Sequence, residues 1–130
     1  MSIHEGLQAG MDAFLGTSYE PDPSNGCCYA ATGIASYYSE WAANEFNHGV
    51  FYVPTLVEDA ISDGMYVDFS YDNLEEGDII VFGDCEHVVI STGGNSYVGN
   101  SSSRGYILQG SDFNYMSGLE PTGIVKTTWG

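Results

Sequence analysis

Apolar residues recur at helical steps through the first half of the chain and in short β-type runs through the second. Ile3, Leu7, Met11, Phe14 and Leu15 fall on one helical face and stop at Gly16, which predicts a short amphipathic helix closed by glycine. Residues 16–26 carry two prolines and several small polar residues and read as a loop. From Cys27 onward, Ala30, Ala31, Ile34, Tyr38 and Trp41 keep helical spacing, predicting a second helix that runs to about Phe46 and is ended by residues 47–49. A β-branched and aromatic stretch at 50–53 leads to Pro54. Residues 55–63 then read as a third helix, with Thr55 and Glu58 at capping-box spacing and Gly64 closing it.

The second half changes period. Residues 65–71 are rich in β-formers, and the acidic run Asp72, Glu75, Glu76, Asp78 lacks calcium-loop spacing and reads as a solvated turn. Strands are predicted at 78–82, 86–92, 95–100, 104–109 and 123–128, with a turn at Gly83-Asp84 and a loop over 110–122. A two-residue hairpin turn at Gly93-Gly94 would pair Thr92 with Asn95 and, counting outward, His87 with Asn100. Directly opposed side chains have Cβ atoms about 5 Å apart, close enough for the Asn100 amide to orient an imidazole.

Composition narrows the possibilities. The chain has 130 residues, 43% of them apolar, which suits one domain spanning 1–130 and leaves too little surface to bury for two. Its formal charge is -16, with Arg104 and Lys126 the only basic residues, so a nucleic-acid backbone or an anionic membrane would repel it. An anionic cell wall would repel it as well, so a wall-directed enzyme would need salt, cations or a tether or delivery partner. There is no signal-peptide pattern at the N-terminus and no apolar run of bilayer length, from which a cytoplasmic product without membrane insertion is expected. Cys27 and Cys28 are adjacent and Cys85 is the third cysteine, so reduced thiols are expected.

The candidate chemistry centres on Cys27. Free amide N–H groups at a helix start favour an anion, so a thiol there ionises more readily. Cys27 lies in line with the apolar stripe, whereas Cys28 is rotated by about 100°, which makes Cys27 the better nucleophile. With His87 as base and Asn100 holding the ring, this is a Cys-His-Asn arrangement able to attack a carbonyl and protonate a leaving amine, the helix-start N–H groups stabilising the oxyanion. The competing reading is a pair of small core cysteines and a histidine merely held in a sheet, and residue spacing leaves both open. Zinc on Cys27, Cys85 and His87 fits the usual spacings poorly and lacks a fourth ligand, so neither metal nor cofactor is expected. His4, near the terminus, is expected to be solvated and is given no role.

Gly16-Thr17-Ser18-Tyr19, Gly26-Cys27 opening a helix, Glu76-Gly77-Asp78-Ile79-Ile80-Val81-Phe82, His87-Val88-Val89-Ile90 and Tyr97-Val98-Gly99-Asn100 together resemble the NlpC/P60 family of papain-like cysteine peptidases, a pattern that overlaps the CHAP amidases. The similarity spans residues 8–102. It implies an α+β, papain-like fold with N-terminal helices packed on a central antiparallel β-sheet, and hydrolysis of amide bonds in peptidoglycan stem peptides. Carried over position by position, it implies Cys27 as nucleophile, His87 as base, Asn100 as the orienting residue, and Tyr19 and Cys28 as oxyanion or substrate contacts. The family usually has Asp before and Ser after its cysteine, where this chain has Gly26 and Cys28, and often a histidine where it has Asn100. A bare catalytic domain without an export signal fits a phage or prophage product, or a delivered effector, that acts on the wall after delivery or lysis. Two alternatives stand beside this reading. Asp84-Cys85-Glu86-His87, with Asn47-His48-Gly49-Val50 upstream, resembles the lecithin retinol acyltransferase-like proteins, although the cysteine there should open a helix and Cys85 precedes a β-rich run. The chain could also be a non-catalytic binding module of the same fold.

Overall fold

A computed structural model of the chain describes residues 2–18, 26–101, 104–115 and 118–129. Helix α1, Ile3–Phe14, begins at a capping box in which the Ser2 hydroxyl accepts from Glu5 N–H and the Glu5 carboxylate accepts from Ser2 N–H. It buries Gly6, Leu7, Gly10 and Met11. The glycines let it press on the next helix: a β-carbon at Gly10 would stand 2.6 Å from the Ile34 carbonyl oxygen.

The helix expected from Cys27 to Phe46 is two helices, α2 (Gly26–Ala35) and α3 (Glu40–Asn47). Its apolar spacing survives the break because Tyr37 and Tyr38 close the first helix with turn bonds to Ile34 and Ala35, while the Ser39 hydroxyl accepts from Ala42 N–H and starts the second. Helix α4, Val53–Ser62, begins two residues before the predicted start. Tyr52 is its N-cap without a side-chain cap bond, so the Thr55–Glu58 capping box does not form and no strand precedes it. Pro54 in the first turn supplies the preset φ in place of a cap.

The strands are β1 (Tyr66–Asp68), β2 (Ile79–Phe82), β3 (His87–Gly93), β4 (Ser96–Ser101), β5 (Tyr106–Gly110) and β6 (Pro121–Val125). They form one antiparallel sheet in the order β1-β6-β2-β3-β4-β5. The predicted last strand starts earlier and stops at Val125, after which Thr127–Trp129 is a 3-10 turn; another 3-10 turn, Phe113–Tyr115, lies in the long loop. The fold is α+β, as the resemblance implied.

Alternation in the strands divides the core between the two faces. Ile79, Val81, Val88, Ile90 and Val98 join the residues of all four helices in the main cluster, whereas Ile80, Phe82, Val89 and Phe113 form a smaller one on the opposite face. Helix α2 sits in the middle of the main layer, against α1, α3, β3 and β4, and all of it except Tyr29 is buried. Among the described residues no helix is long and apolar enough to cross a membrane.

The acidic turn is not solvated throughout. Asp78 is fully buried and accepts from Lys126 Nζ at 2.6 Å, while Glu75 takes the same ammonium at 3.0 Å. His4 is exposed, as expected, with its Nδ1 3.1 Å from the Glu76 carboxylate.

Candidate active site

Cys27 is the second residue of α2, and three backbone N–H groups favour its thiolate form: that of Val88 in β3, that of Cys28, and its own. The first comes from the residue directly after His87. The other two belong to the free first turn of the helix. Burial pushes the Cys27 thiol above its ordinary value, and the N–H groups of Val88, Cys28 and Cys27 oppose that shift.

His87 opens β3, is half-buried, and pairs with Phe82 of β2, the two rings 6.2 Å apart. Its backbone position therefore belongs to the face of Phe82 and Val89, while Cys27 reaches the same strand end from the helix face. Burial lowers the imidazole's pKa. Among the described residues the ring makes no hydrogen bond.

Asn100 is not opposite His87. The hairpin pairs Gly93 with Ser96, Ser91 with Tyr97 and Ile90 with Val98, so its two-residue turn is Gly94-Asn95 and the predicted Thr92–Asn95 pair is absent. A bulge between Ser91 and Gly93, with Gly93 at φ 114°, shifts the register by one residue and so reverses the face. Carried along the strands, that register sets Val89 against Gly99, whose β-carbon would touch the Val89 side chain, and Asn100 against Val88. The Asn100 amide lies instead on Gly26 at the head of α2. The structure thus gathers Cys27 and Asn100 on the helix side and brings His87 to the same strand end from the other side.

Cys28, expected to face away from the packed side, is fully buried, because α2 has neighbours on almost every side. Its S–H donates to the Val50 carbonyl at 3.5 Å and burial raises its pKa strongly. Only its backbone N–H faces the candidate chemistry. Tyr19 lies outside the described residues. Cys85 sits in the β2–β3 loop in a left-handed conformation, φ 55°, and does not open a helix. All three thiols are free. Among the described residues no group of three or more His, Cys, Asp or Glu side chains is placed to hold a metal, so Cys27, Cys85 and His87 do not form a zinc site.

The Val88 N–H was not foreseen as a thiol partner. The signal for it was present in His87-Val88, since a base at a strand start carries the following amide with it, but only the packing of α2 across β3 discloses the contact.

No protein-family profile matches the chain, and no curated protein matches it. Among solved structures it is similar to the P60 domain of the antigen MAP1204 from M. avium subspecies paratuberculosis, with 18% identity, a TM-score of 0.54, and 96% of this chain and 95% of that one covered. At that identity the likeness concerns the fold: this chain has a P60-like architecture over nearly its whole length.

Proposed function

We propose that the protein is a cysteine hydrolase of amide bonds, with Cys27 as nucleophile and His87 as general base, and that its substrate is the stem peptide of peptidoglycan. The observation that carries the reading is the setting of Cys27: at the head of a buried helix, where the N–H of Val88, the residue after His87, favours its thiolate, while the His87 imidazole has no hydrogen-bond partner among the described residues. In this reading the His87 imidazole takes the thiol proton. The sulfur attacks the carbonyl, the N–H groups at the helix head hold the oxyanion, and the imidazolium returns the proton to the leaving amine before water cleaves the thioester. In this reading Asn100, set on Gly26 at the helix head, borders the oxyanion. Peptidoglycan as substrate rests on the sequence resemblance and the P60-like fold together. With a charge of -16, approach to an anionic wall calls for a tether, a delivery partner or bound cations.

Purified peptidoglycan digested with the wild type and with Cys27→Ser, followed by mass analysis of the fragments, tests the proposal. New stem-peptide cleavage products that vanish in Cys27→Ser support it. Cleavage that survives Cys27→Ser but is lost in Cys85→Ser favours the acyltransferase-like alternative, and no turnover by a folded wild type favours a binding module.

A further inference from the structure

At the far end of β3 from the thiol, a cavity of about 460 Å³ opens between α1 and the ends of β3, β4 and β5, within the size range of small-molecule sites. His87 opens β3 and Thr92 near its end lines the cavity, so the two positions are roughly 17 Å apart along the strand. Gln8 of α1 lines one side; Thr92, Ser96, Gln109 and Ser111 line the other. Gln109 pairs with Val98, which packs with the helices, and Ser96 stands two places before Val98, so strand alternation turns both toward α1. The apolar seam between α1 and the sheet gives way here to uncharged polar side chains. None of these five makes a side-chain hydrogen bond to a described residue. Each can both donate and accept, so one concave surface carries five adaptable hydrogen-bonding groups whose capacity the protein itself does not use.

The rest of the lining narrows the ligand. Met11, 4% exposed, contributes an apolar face. The charged groups are occupied with each other, His4 Nδ1 lying 3.1 Å from the Glu76 carboxylate. An anion would find no free cation: Lys126 is bound by Asp78 and Glu75, Arg104 stands in the turn before β5, and the chain carries a charge of -16. A wholly apolar molecule would take water from five polar side chains and return no hydrogen bond. A neutral sugar ring meets both demands, because its hydroxyls donate and accept as the amides and hydroxyls here do, and its C–H face suits a thioether.

We propose that the cavity between α1 and the ends of β3, β4 and β5 binds a neutral sugar. Gln8 and Gln109 grip its hydroxyls from opposite walls, Thr92 and Ser96 complete the hydrogen bonding, and Met11 carries the ring's apolar face. Combined with the function proposed above, on which this extension rests, the site holds the glycan from which a stem peptide runs toward Cys27. An uncharged sugar is also the part of an anionic wall that so acidic a chain can approach without repulsion.

The test is titration of the full chain with tri-N-acetylglucosamine, with cellotriose and with spermidine, followed in proton–nitrogen correlation spectra. Saturable shifts centred on Gln8, Thr92, Ser96 and Gln109 with either sugar support the proposal. Gln8→Ala combined with Gln109→Ala should then weaken binding by about tenfold or more. Both residues are exposed, so the variant should keep the wild-type urea midpoint. No saturable shift with either sugar, shifts centred elsewhere, or undiminished binding by the double variant would overturn the site. So would shifts at these residues with spermidine and none with the sugars, which would make the cavity an amine site. The titration needs no turnover, so an inactive Cys27 would leave its outcome untouched, and a failure to bind sugar would leave the peptidoglycan digestion to decide the hydrolase reading.

Discussion

The carboxamide of Asn100 lies on the backbone of Gly26: a β-carbon at Gly26 would stand 2.7 Å from Asn100 Nδ2 and 2.9 Å from its Cγ. The contact joins the end of β4 to the head of the helix that carries Cys27, and it leaves no room for a methyl group. Gly26→Ala should therefore cost about 1–3 kcal/mol through overpacking. In an Asn100→Ala background, where the amide is gone, the same substitution should cost far less, giving a coupling of about 1 kcal/mol or more. Urea unfolding of the four proteins in a double-mutant cycle measures it. An equal cost in both backgrounds would place the strain elsewhere.

The thiol and the imidazole are displaced in opposite directions by burial, Cys27 above its ordinary 9.0 and His87 below its ordinary 6.5. The resting pair is then neutral, and the activity proposed above should be broad in pH. Its kcat/KM should rise through an acid limb below 6.5, as His87 loses its proton, and fall on an alkaline limb above 9.0, as the thiol loses its own. His87→Ala should remove the acid limb. It should also slow alkylation of Cys27 at neutral pH and leave alkylation of the half-exposed Cys85 unchanged, a contrast that mass spectrometry of the labelled peptides can read.

Local signals made most of the fold legible. Glycine after the first helical stripe, proline before α4 and the apolar runs of β2 and β3 are statements of backbone chemistry, and the elements formed where those signals stand. The longer readings failed where a single residue decided the outcome. Ser39 caps a new helix inside an uninterrupted apolar stripe, and Gly93 absorbs one residue in a bulge, which moved Asn100 from the imidazole to the helix head. Cys27 and His87 could be picked as a candidate pair because each has a distinctive local setting. The influence of the Val88 N–H on the thiol and the burial of Asp78 come from tertiary packing and have no local signature.

Two adjacent glycines at the hairpin carry different conformational demands. Gly94, at φ 56°, occupies the ordinary left-handed region that asparagine enters readily, whereas Gly93, at φ 114°, lies outside it. Gly94→Asn should change stability by no more than about 0.5 kcal/mol, while Gly93→Ala should cost about 1–3 kcal/mol. If the bulge sets the face of Asn100, Gly93→Ala should also shift the Asn100 amide resonances in a proton–nitrogen correlation spectrum, and Gly94→Asn should leave them in place. Equal effects of the two substitutions would show that the bulge is not what holds the register.

The C-terminal end of the sheet is fastened by an ion pair taken wholly out of water. Lys126 and Asp78 are 2% and 0% exposed, and the ammonium also donates to the Asn73 carbonyl and to Glu75. Asp78 in turn accepts from Glu75 N–H and from the Thr128 hydroxyl, so both charges have their remaining hydrogen bonds met. Removing one partner leaves the other buried and uncompensated, and Lys126→Met should cost about 3–5 kcal/mol. Adding Asp78→Asn should recover part of that loss, because the amide needs no counter-charge and its oxygen can still accept from Thr128. The loss should persist in high salt, which screens exposed pairs and barely reaches one enclosed by protein. Urea midpoints of the single and double variants at low and high salt provide the measurement; a loss that disappears with salt would mean the pair is open to solvent.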